Sequence, residues 1–369
     1  MSSRESSVCV VGAGAAGLAC AATLGRAGAS VVVVEREVVG AAWQSRYDSL
    51  RLHTPRRLSG LPGFAIPRTS GTWPARDAVA AYLRAYAGHH AIDVQTGRAI
   101  ERVEKRGAGW SVRFATGSLD ADRVVVATGY SNVPSVPDWP GAFAGELVHS
   151  AAYRRGEAYR DLRVLVVGSG NSGTEIAVDL VRAGAGEVLL AVRTPPAIVR
   201  RATLGVPSQL LGIASAHLPV GAVDRIAATF RRLSFGDLTG VGLPAPERPY
   251  SDFLRRRVLP IVDVGFVAAV KDGSVRIVPA LERFEDGRAV LGDGRSVDVD
   301  AIVAATGFRT GLESIVGHLG VLDDAGVPLV HVEEHPSAPG LHFVGYQVTL
   351  GGMLRVVGKQ AERLAAIVA

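Results

Sequence analysis

Two short glycine-rich segments with the same spacing are the residues of this chain best suited to binding chemistry. Residues 12–17 read GAGAAG and residues 168–173 read GSGNSG, and each follows an apolar run and precedes a helical pattern. In the pattern GxGxxG the first glycine permits a tight turn, the second lets the backbone approach a pyrophosphate, and the third lets helix and strand pack closely. The helix N-terminus adds N–H groups and positive potential for phosphates. A single such loop can be a plain connector, but this context predicts dinucleotide binding at both.

The residue at the end of the following strand distinguishes the two loops. Glu35 lies 18 residues after Gly17, where a carboxylate can bond ribose hydroxyls, so the first loop suits a dinucleotide with a free 2′-hydroxyl such as FAD. Arg193 lies 20 residues after Gly173 and is followed by Thr194, a pair that suits the 2′-phosphate of NADP. Alternatively, Arg193 is a solvated surface arginine that binds no phosphate.

The elements that position these residues repeat one strand, helix, strand pattern. The predicted elements are a strand over 8–11, a helix to about 26, a strand over 30–34, and then a strand over 163–167, a helix to about 183 and a strand over 188–192. Short strand candidates between 98 and 127 form an accessory β segment. The sequence therefore predicts an α/β fold with two Rossmann-like dinucleotide-binding domains built on parallel sheets.

Prolines at positions 134, 137 and 140 indicate a crossing between the domains over residues 130–156. We expect the FAD-binding domain to comprise residues 1–155 and 299–369. The NADPH-binding domain, residues 156–298, is then an insertion within it and carries a helical lid segment over about 200–258.

Composition limits the other classes of function. A chain of 369 residues with 48% hydrophobic and 20% charged residues suits two packed domains, and the arginines behind its net charge of +5 are spread along it, so nucleic-acid binding is not expected. Its two cysteines, Cys9 and Cys20, form no CxxC or metal-type cluster, so neither a metal site nor a redox disulfide is expected.

Prolines and polar residues interrupt the apolar stretch 204–223, which favours a buried or lid-like segment over stable membrane insertion. The start of the chain resembles no signal peptide, so a cytoplasmic location is expected. The oligomeric state is not determined.

Several longer motifs resemble the class B flavin-containing monooxygenases, and within them the plant auxin-forming YUCCA branch. The segment 143–153, FAGELVHSAAY, matches the family pattern FxGxxxHxxxY just before the second loop. Other similar motifs are GAAW at 40–43, LRLHTP at 50–55, WP at 73–74, ATGY at 127–130, PIVDVG at 260–265 and ATGF at 305–308. These motifs run over nearly the whole chain. Tyr153, where the Baeyer–Villiger branch has tryptophan, argues against that branch, and the usual GD near the C-terminus is here Gly345-Tyr346.

The loops and the resemblance together give the candidate cofactor-binding residues. They are Gly12, Gly14, Ala15, Ala16, Gly17, Glu35, Arg36, Trp43, Leu52, His53, Thr54, Val103, Ala127, Thr128, Gly129, Gln347, Gly168, Gly170, Asn171, Ser172, Gly173, Arg193, Thr194, Thr306 and Gly307. Trp43 could instead belong to the core. His149 could bond backbone at the domain joint or contact a cofactor. No side chain is assigned a catalytic role, because in such an enzyme the flavin carries the chemistry.

The resemblance implies a monooxygenase in which NADPH reduces FAD and oxygen is activated as a flavin hydroperoxide. Its YUCCA branch implies oxidative decarboxylation of an arylpyruvate such as indole-3-pyruvate. The alternatives are N- or S-oxygenation of an amine or sulfide, and a flavin reductase or oxidase that transfers no oxygen. Two intact loops argue against a non-catalytic nucleotide sensor. The expected partners are a small-molecule substrate and O2.

Overall fold

The computed structural model describes residues 7–215, 218–246, 249–255 and 258–368. Two compact units make up the chain. Unit 1 comprises Met1–Ser45, Thr54–Val133 and Phe308–Ala369, and unit 2 comprises Arg46–His53 and Pro134–Gly307.

Unit 1 is built on a five-stranded parallel sheet. Its elements are β1 Ser7–Val11, α1 Ala15–Arg26, β2 Ser30–Val34, α2 Ala41–Gln44, α3 Arg76–His89, β3 Val94–Gln95, β4 Ile100–Arg106, β5 Gly109–Phe114, β6 Gly117–Ala121, β7 Arg123–Val126, β8 Val133–Pro134 at the unit boundary, β21 Phe308–Arg309, α9 Glu313–Val316, β22 Leu341–Phe343 and α10 Met353–Val368. The strand order is β22-β7-β1-β2-β3, and Val11 pairs with Val34 on one side and Val126 on the other. The valine-rich central strands are buried on both faces, as parallel strands require. Strands β4, β5 and β6 form the predicted accessory sheet, which is antiparallel.

Unit 2 repeats this plan with a second five-stranded parallel sheet. Its elements are β9 Glu146–His149, β10 Arg163–Val167, α4 Asn171–Ala183, β11 Glu187–Val192, β12 Ile198–Arg200, β13 Ala202–Thr203, β14 Val206–Pro207, α5 Ser208–Ser215, α6 Val220–Phe235, α7 Tyr250–Arg255, β15 Ile261–Asp263, α8 Phe266–Lys271, β16 Arg276–Pro279, β17 Leu281–Glu285, β18 Arg288–Leu291, β19 Ser296–Val297 and β20 Ala301–Ala304. The strand order is β16-β11-β10-β20-β9. The predicted α/β fold with a repeated strand, helix, strand element and parallel sheets is confirmed.

Unit 2 extends beyond the predicted boundaries at both ends. Residues 46–53 belong to unit 2, as do the two segments 134–155 and 299–307, although the predicted boundaries assigned all of them to the FAD-binding domain. The physical reason is strand pairing. Strand β20 lies between β10 and β9, with Ala304 opposite His149, so both segments complete the second sheet through backbone hydrogen bonds.

The segment predicted as a lid, about residues 200–258, contains β13, β14 and helices α5 to α7, while residues 216–217, 247–248 and 256–257 lie outside the described residues. The apolar stretch 204–223 was expected to be either buried or lid-like, and its exposed leucines contradict burial. Leu204 is fully exposed at 100%, and Leu210 and Leu211 on α5 are also exposed. No helix in the described part of the chain is both long and apolar enough to span a membrane.

Both cysteines lie in the core of unit 1, which predicts inert thiols. Cys9 and Cys20 are free and 0% exposed, and burial raises the pKa of each thiol to about 12. Because the thiolate is the nucleophile, only about one part in a thousand would be ionised at about pH 9. We expect neither thiol of the native protein to react with a disulfide reagent within minutes at this pH, and both to react after unfolding in guanidinium. The unfolded chain is the control, and rapid labelling of the native protein would show that the first β-strand and helix open readily.

Candidate functional site

The first glycine loop is packed so tightly that side chains are excluded at two of its positions. Gly12 has φ +104°, and a Cβ atom there would lie 2.8 Å from the carbonyl oxygen of Ala127. A Cβ atom at Gly17 would lie 1.8 Å from the carbonyl oxygen of Gly12, so α1 can approach the loop only through a glycine. At Gly14 an added Cβ would meet nothing within 4 Å. The loop is therefore closed toward the fold and open at its middle glycine, where a pyrophosphate must approach.

The start of α1 and the end of β2 supply the polar groups of this loop. Gly14 is the N-cap of α1, and within the described residues the helix has no side-chain cap and no acidic residue in its first turn. Its first N–H groups remain available to an anion. The carboxylate of Glu35 accepts hydrogen bonds from the backbone N–H of Ala13 at 2.7 Å and of Glu37 at 2.9 Å. These bonds hold Glu35 beside the loop, which fits a dinucleotide with free ribose hydroxyls.

The second loop reproduces this geometry in unit 2. Gly168 has φ +112°, and a Cβ atom there would lie 2.5 Å from the carbonyl oxygen of Ala305. A Cβ atom at Gly173 would lie 1.9 Å from the carbonyl oxygen of Gly168, and one at Gly170 would meet nothing within 4 Å. Gly170 is the N-cap of α4, again without a side-chain cap or a first-turn acid among the described residues. Both loops therefore fit a pyrophosphate, and in each an ATG alanine carbonyl faces the first glycine.

Arg193 and Thr194 follow β11 directly, and both are exposed. Within the part of the chain that the structure describes, the Arg193 side chain makes no hydrogen bond or ion pair, while the carbonyl of Thr194 accepts a weak hydrogen bond from Ser169 Oγ at 3.4 Å. The second loop thus has an available cation at the strand end where the first loop has a fixed carboxylate. This arrangement fits a phosphorylated ribose.

The side chain of Asn171 has a structural partner that the sequence did not reveal. Its Nδ2 donates to the carbonyl of Pro260 at 3.1 Å, and its Oδ1 accepts from the N–H of Val262 at 2.8 Å. Asp263, in the same segment, accepts a hydrogen bond from the N–H of Val267, in the first turn of α8, at 3.0 Å. The PIVDVG segment therefore ties the start of α4 to its surroundings through the side chain of Asn171.

Residues of the family pattern over 143–153 contact other parts of unit 2. A Cβ atom at Gly145 would lie 2.4 Å from the carbonyl oxygen of Asp300. His149 accepts from the N–H of Ala151 at Nδ1, 3.1 Å, so Nε2 carries the proton that it donates to the carbonyl of Gly307 at 2.9 Å. Burial, the largest cause, lowers the pKa of His149 and favours this neutral form, although the bond to Gly307 acts in the opposite direction. Of the two roles left open for His149, the structure displays the backbone contact.

Tyr153 closes the same pattern as a core residue. Its side chain is 1% exposed and lies against Tyr47 and Tyr159, with ring centroids 6.4 and 5.6 Å away. Its hydroxyl donates to Asp179 Oδ2 at 2.7 Å, and burial raises the pKa of the phenol. Asp179 lies on α4, so Tyr153 holds the helix of the second loop.

The LRLHTP segment meets α4 through a residue that the sequence reasoning missed. Glu175, two residues after Gly173, is buried, yet its Oε1 lies 2.5 Å from His53 Nε2 and its Oε2 accepts from the hydroxyl of Tyr47 at 3.1 Å. The available signal was an acid directly before the apolar residues 176–178 of a helix that packs in the core. Leu52 beside His53 is also buried. The pair fixes the ring orientation of the predicted cofactor contact His53.

The remaining candidates of unit 1 differ in exposure. Trp43 is half-buried on α2, and Thr54 Oγ1 lies 2.7 Å from Ser59 Oγ. Val103 is fully buried in the core of the accessory sheet. Gln347 is exposed, and its Oε1 accepts from Gln360 Nε2 at 2.7 Å.

Arg36 lies at the surface of unit 1, whereas Tyr346 lies in its core. Arg36 is exposed and forms an ion pair with Glu37 at 3.3 Å. Tyr346, at the position where the resemblance expects Asp, is buried with its hydroxyl 2.8 Å from Thr128 Oγ1. The departure from the GD motif therefore places a phenol at the end of the first ATG strand.

Comparison with known proteins gives concordant matches. Residues 9–204 match the family described as pyridine nucleotide-disulphide oxidoreductase. Indole-3-pyruvate monooxygenase YUCCA1 of Oryza sativa subsp. japonica is 36% identical over 325 residues, which is 85% of this chain and 79% of the relative. A flavin monooxygenase of Stenotrophomonas maltophilia, as a double mutant that introduces an arginine and a threonine at consecutive positions, is 26% identical with a TM-score of 0.74 over 100% of both chains. The structure of OTEMO complexed with FAD and NADP, 16% identical over 99% of this chain and 84% of the other, shares the fold with a TM-score of 0.74.

The loop geometry predicts opposite outcomes for two neighbouring glycines. Gly17→Ala must push α1 away from Gly12 and should destabilise the protein by about 1–3 kcal/mol. Gly14→Ala meets no protein atom, so the fold should persist while the methyl group occupies the expected pyrophosphate position and weakens FAD binding at least about tenfold. FAD content after desalting and the Tm of the apoprotein separate these effects. Gly25→Ala, on the exposed end of the same helix with nothing within 4 Å, is the matched control. Full FAD content in Gly14→Ala would place the pyrophosphate elsewhere.

Proposed function

The chain belongs to the class B flavin-containing monooxygenases, in the branch of the YUCCA indole-3-pyruvate monooxygenases, and we propose that it oxidatively decarboxylates an aryl 2-oxo acid. It is a flavin-dependent monooxygenase whose cofactors are FAD and NADP(H). The observation that carries the proposal is the 36% identity of the chain to an enzyme named for indole-3-pyruvate. The pair of loops, with one backbone geometry and opposite charge at the strand end, supports the use of two different dinucleotides.

Unit 1 is the proposed FAD-binding domain. The open face at Gly14 and the uncapped start of α1 would receive the pyrophosphate, and Glu35, held by two backbone N–H groups, would accept hydrogen bonds from ribose hydroxyls. When bound, the flavin supplies the redox chemistry by which NADPH reduces one oxygen atom of O2 to water and the other enters the product. The contribution of the protein is to orient the cofactor and to exclude water.

Unit 2 is the proposed NADPH-binding domain. The start of α4 would receive the pyrophosphate, and Arg193 with Thr194 would bind the 2′-phosphate. The same dipeptide, arginine followed by threonine, was introduced into the flavin monooxygenase of Stenotrophomonas maltophilia. The side chains of His149 and Glu175 hold the backbone and the LRLHTP segment next to this loop. They are positioning residues rather than reacting groups.

The proposed substrate is an arylpyruvate such as indole-3-pyruvate. Its support is the named relative and the LRLHTP segment; Tyr153 carries no weight here, because it is a core residue. In the balanced reaction the bond between the two carbonyl carbons breaks. One oxygen atom enters the arylacetate, carbon dioxide leaves, NADPH is oxidised, and the second oxygen atom becomes water.

The substrate proposal predicts a labelled arylacetate. With the holoenzyme, NADPH, indole-3-pyruvate and ¹⁸O2, mass spectrometry should detect one labelled oxygen per arylacetate, with carbon dioxide formed in equal amount to NADPH consumed. A panel of amines and thioethers under the same conditions is the comparison. Oxygen transfer to that panel, without labelled arylacetate, would favour heteroatom oxygenation. Hydrogen peroxide equal to the NADPH consumed with every compound would instead indicate a flavin oxidase.

Arg193 should decide the preference for NADPH over NADH. Removal of a charge-assisted contact to the phosphate costs about 1.5–3 kcal/mol, so Arg193→Ala should raise the KM for NADPH about ten- to more than a hundredfold. NADH lacks the phosphate, and its KM should change little. FAD content should stay intact, because Glu35 and the first loop are untouched. Exposed Arg288 of the same unit, changed to Ala, is the control. Equal losses with both nucleotides, or none with either, would make Arg193 a surface arginine.

A further inference from the structure

Helix α6, Val220–Phe235, exposes apolar side chains in unit 2. Ile226 is 46% exposed, Phe230 44% and Leu233 80%. These residues recur every three or four positions, so they form one stripe along the helix. Leu218 and Val220 at its start are exposed as well. We call the stripe formed by Ile226, Phe230 and Leu233 the α6 face.

On its opposite side α6 meets the rest of unit 2 through Phe235, which is buried in the core, and through polar contacts. Asp224 accepts hydrogen bonds from the N–H of Ser251 at 2.7 Å and from its hydroxyl at 2.8 Å. The guanidinium of Arg231 donates to the carbonyl of Pro244 at 3.4 Å. A surface helix ordinarily turns its apolar stripe inward and its polar residues outward. Here a second apolar stripe, Ile226, Phe230 and Leu233, faces outward, which indicates that the α6 face has an apolar partner.

The charge beside the stripe indicates the chemistry of that partner. Arg225 and Arg232 are exposed and seven residues apart, so both lie on one flank of the helix, about 100° around from the stripe. The single acid of α6, Asp224, is already bonded to Ser251. Arg225 and Arg232 therefore give the outward part of α6 a formal charge of +2 that no acid of the helix is available to offset. The partner must therefore offer both an apolar region and negative charge.

We propose that the α6 face docks on the surface of an anionic phospholipid bilayer. The helix would lie in the plane of the interface with its apolar stripe at the boundary between headgroups and acyl chains, while Arg225 and Arg232 reach the headgroup phosphates. Such a helix lies on a membrane without spanning it. A second copy of the chain satisfies the apolar stripe less well, because each copy brings the same cluster of arginines and no available acid on α6.

The test measures binding of the holoenzyme to vesicles. In flotation at low salt, the protein should bind vesicles of phosphatidylcholine with roughly 30% phosphatidylglycerol, should bind phosphatidylcholine alone weakly, and should be released by added salt. The double substitution Arg225→Gln with Arg232→Gln should lower the partition coefficient about thirtyfold, and Ile226→Ser with Leu233→Ser at least about tenfold.

Controls come from exposed residues of unit 1. Leu329→Ser and Arg84→Gln remove an exposed apolar and an exposed basic side chain and should leave vesicle binding unchanged. FAD content and NADPH oxidation should be normal in all variants, so a failure to bind vesicles is distinguishable from a failure of the proposed reaction.

Three results would overturn the proposal. These are absence of vesicle binding, equal binding to neutral and anionic vesicles, and binding that is unchanged in both double variants. If the wild-type protein is a dimer that Ile226→Ser with Leu233→Ser converts to a monomer, the α6 face is a contact between copies of the chain instead.

Discussion

Backbone approach that leaves no room for a Cβ atom determines the geometry of both nucleotide loops. In each loop the third glycine lies so close to the carbonyl of the first that an added Cβ would be less than 2 Å from it, and the first glycine faces the alanine carbonyl of an ATG strand. Close-packed interiors do not yield by such distances without moving an element. The direction of α1 and α4, and hence where their first N–H groups lie, follows from these contacts.

On this shared backbone, charge alone distinguishes the two sites. Glu35 is fixed by two N–H groups of its own surroundings, so its orientation is set before any ligand binds. Arg193 is exposed and, among the described residues, has no such bonds, so its guanidinium would be ordered by the phosphate itself. In the proposed binding mode, one loop would select its nucleotide with a preorganised acceptor, and the other with a flexible cation whose ordering on binding costs entropy.

Features that depend on consecutive residues could be predicted from the sequence, whereas contacts between residues distant in the chain could not. The strands beside both loops could be predicted, because valine runs and GxGxxG spacing are properties of consecutive residues. The boundary near residue 155 could not, because β9 joins the second sheet by pairing with β20, and His149 finds Gly307 at a separation of 158 residues. The pairing of His53 with Glu175, 122 residues apart, was hidden for the same reason. Periodicity also gives a helix an apolar side without saying whether that side faces the core, so the outward stripe of α6 emerged only from the structure.

The pattern that identifies the family acts as packing around the second loop. Gly145 lets the chain pass the carbonyl of Asp300, His149 holds the turn at Gly307, and Tyr153 bonds to α4 through Asp179. Each contact fixes an element that borders the GSGNSG loop. Since all three are within unit 2 and none leaves a reactive side chain exposed, the pattern specifies how a nucleotide domain is built. Which carbon, nitrogen or sulfur atom receives oxygen must then be decided by residues outside the pattern, so a match to the pattern identifies the cofactor chemistry far more firmly than it identifies the substrate.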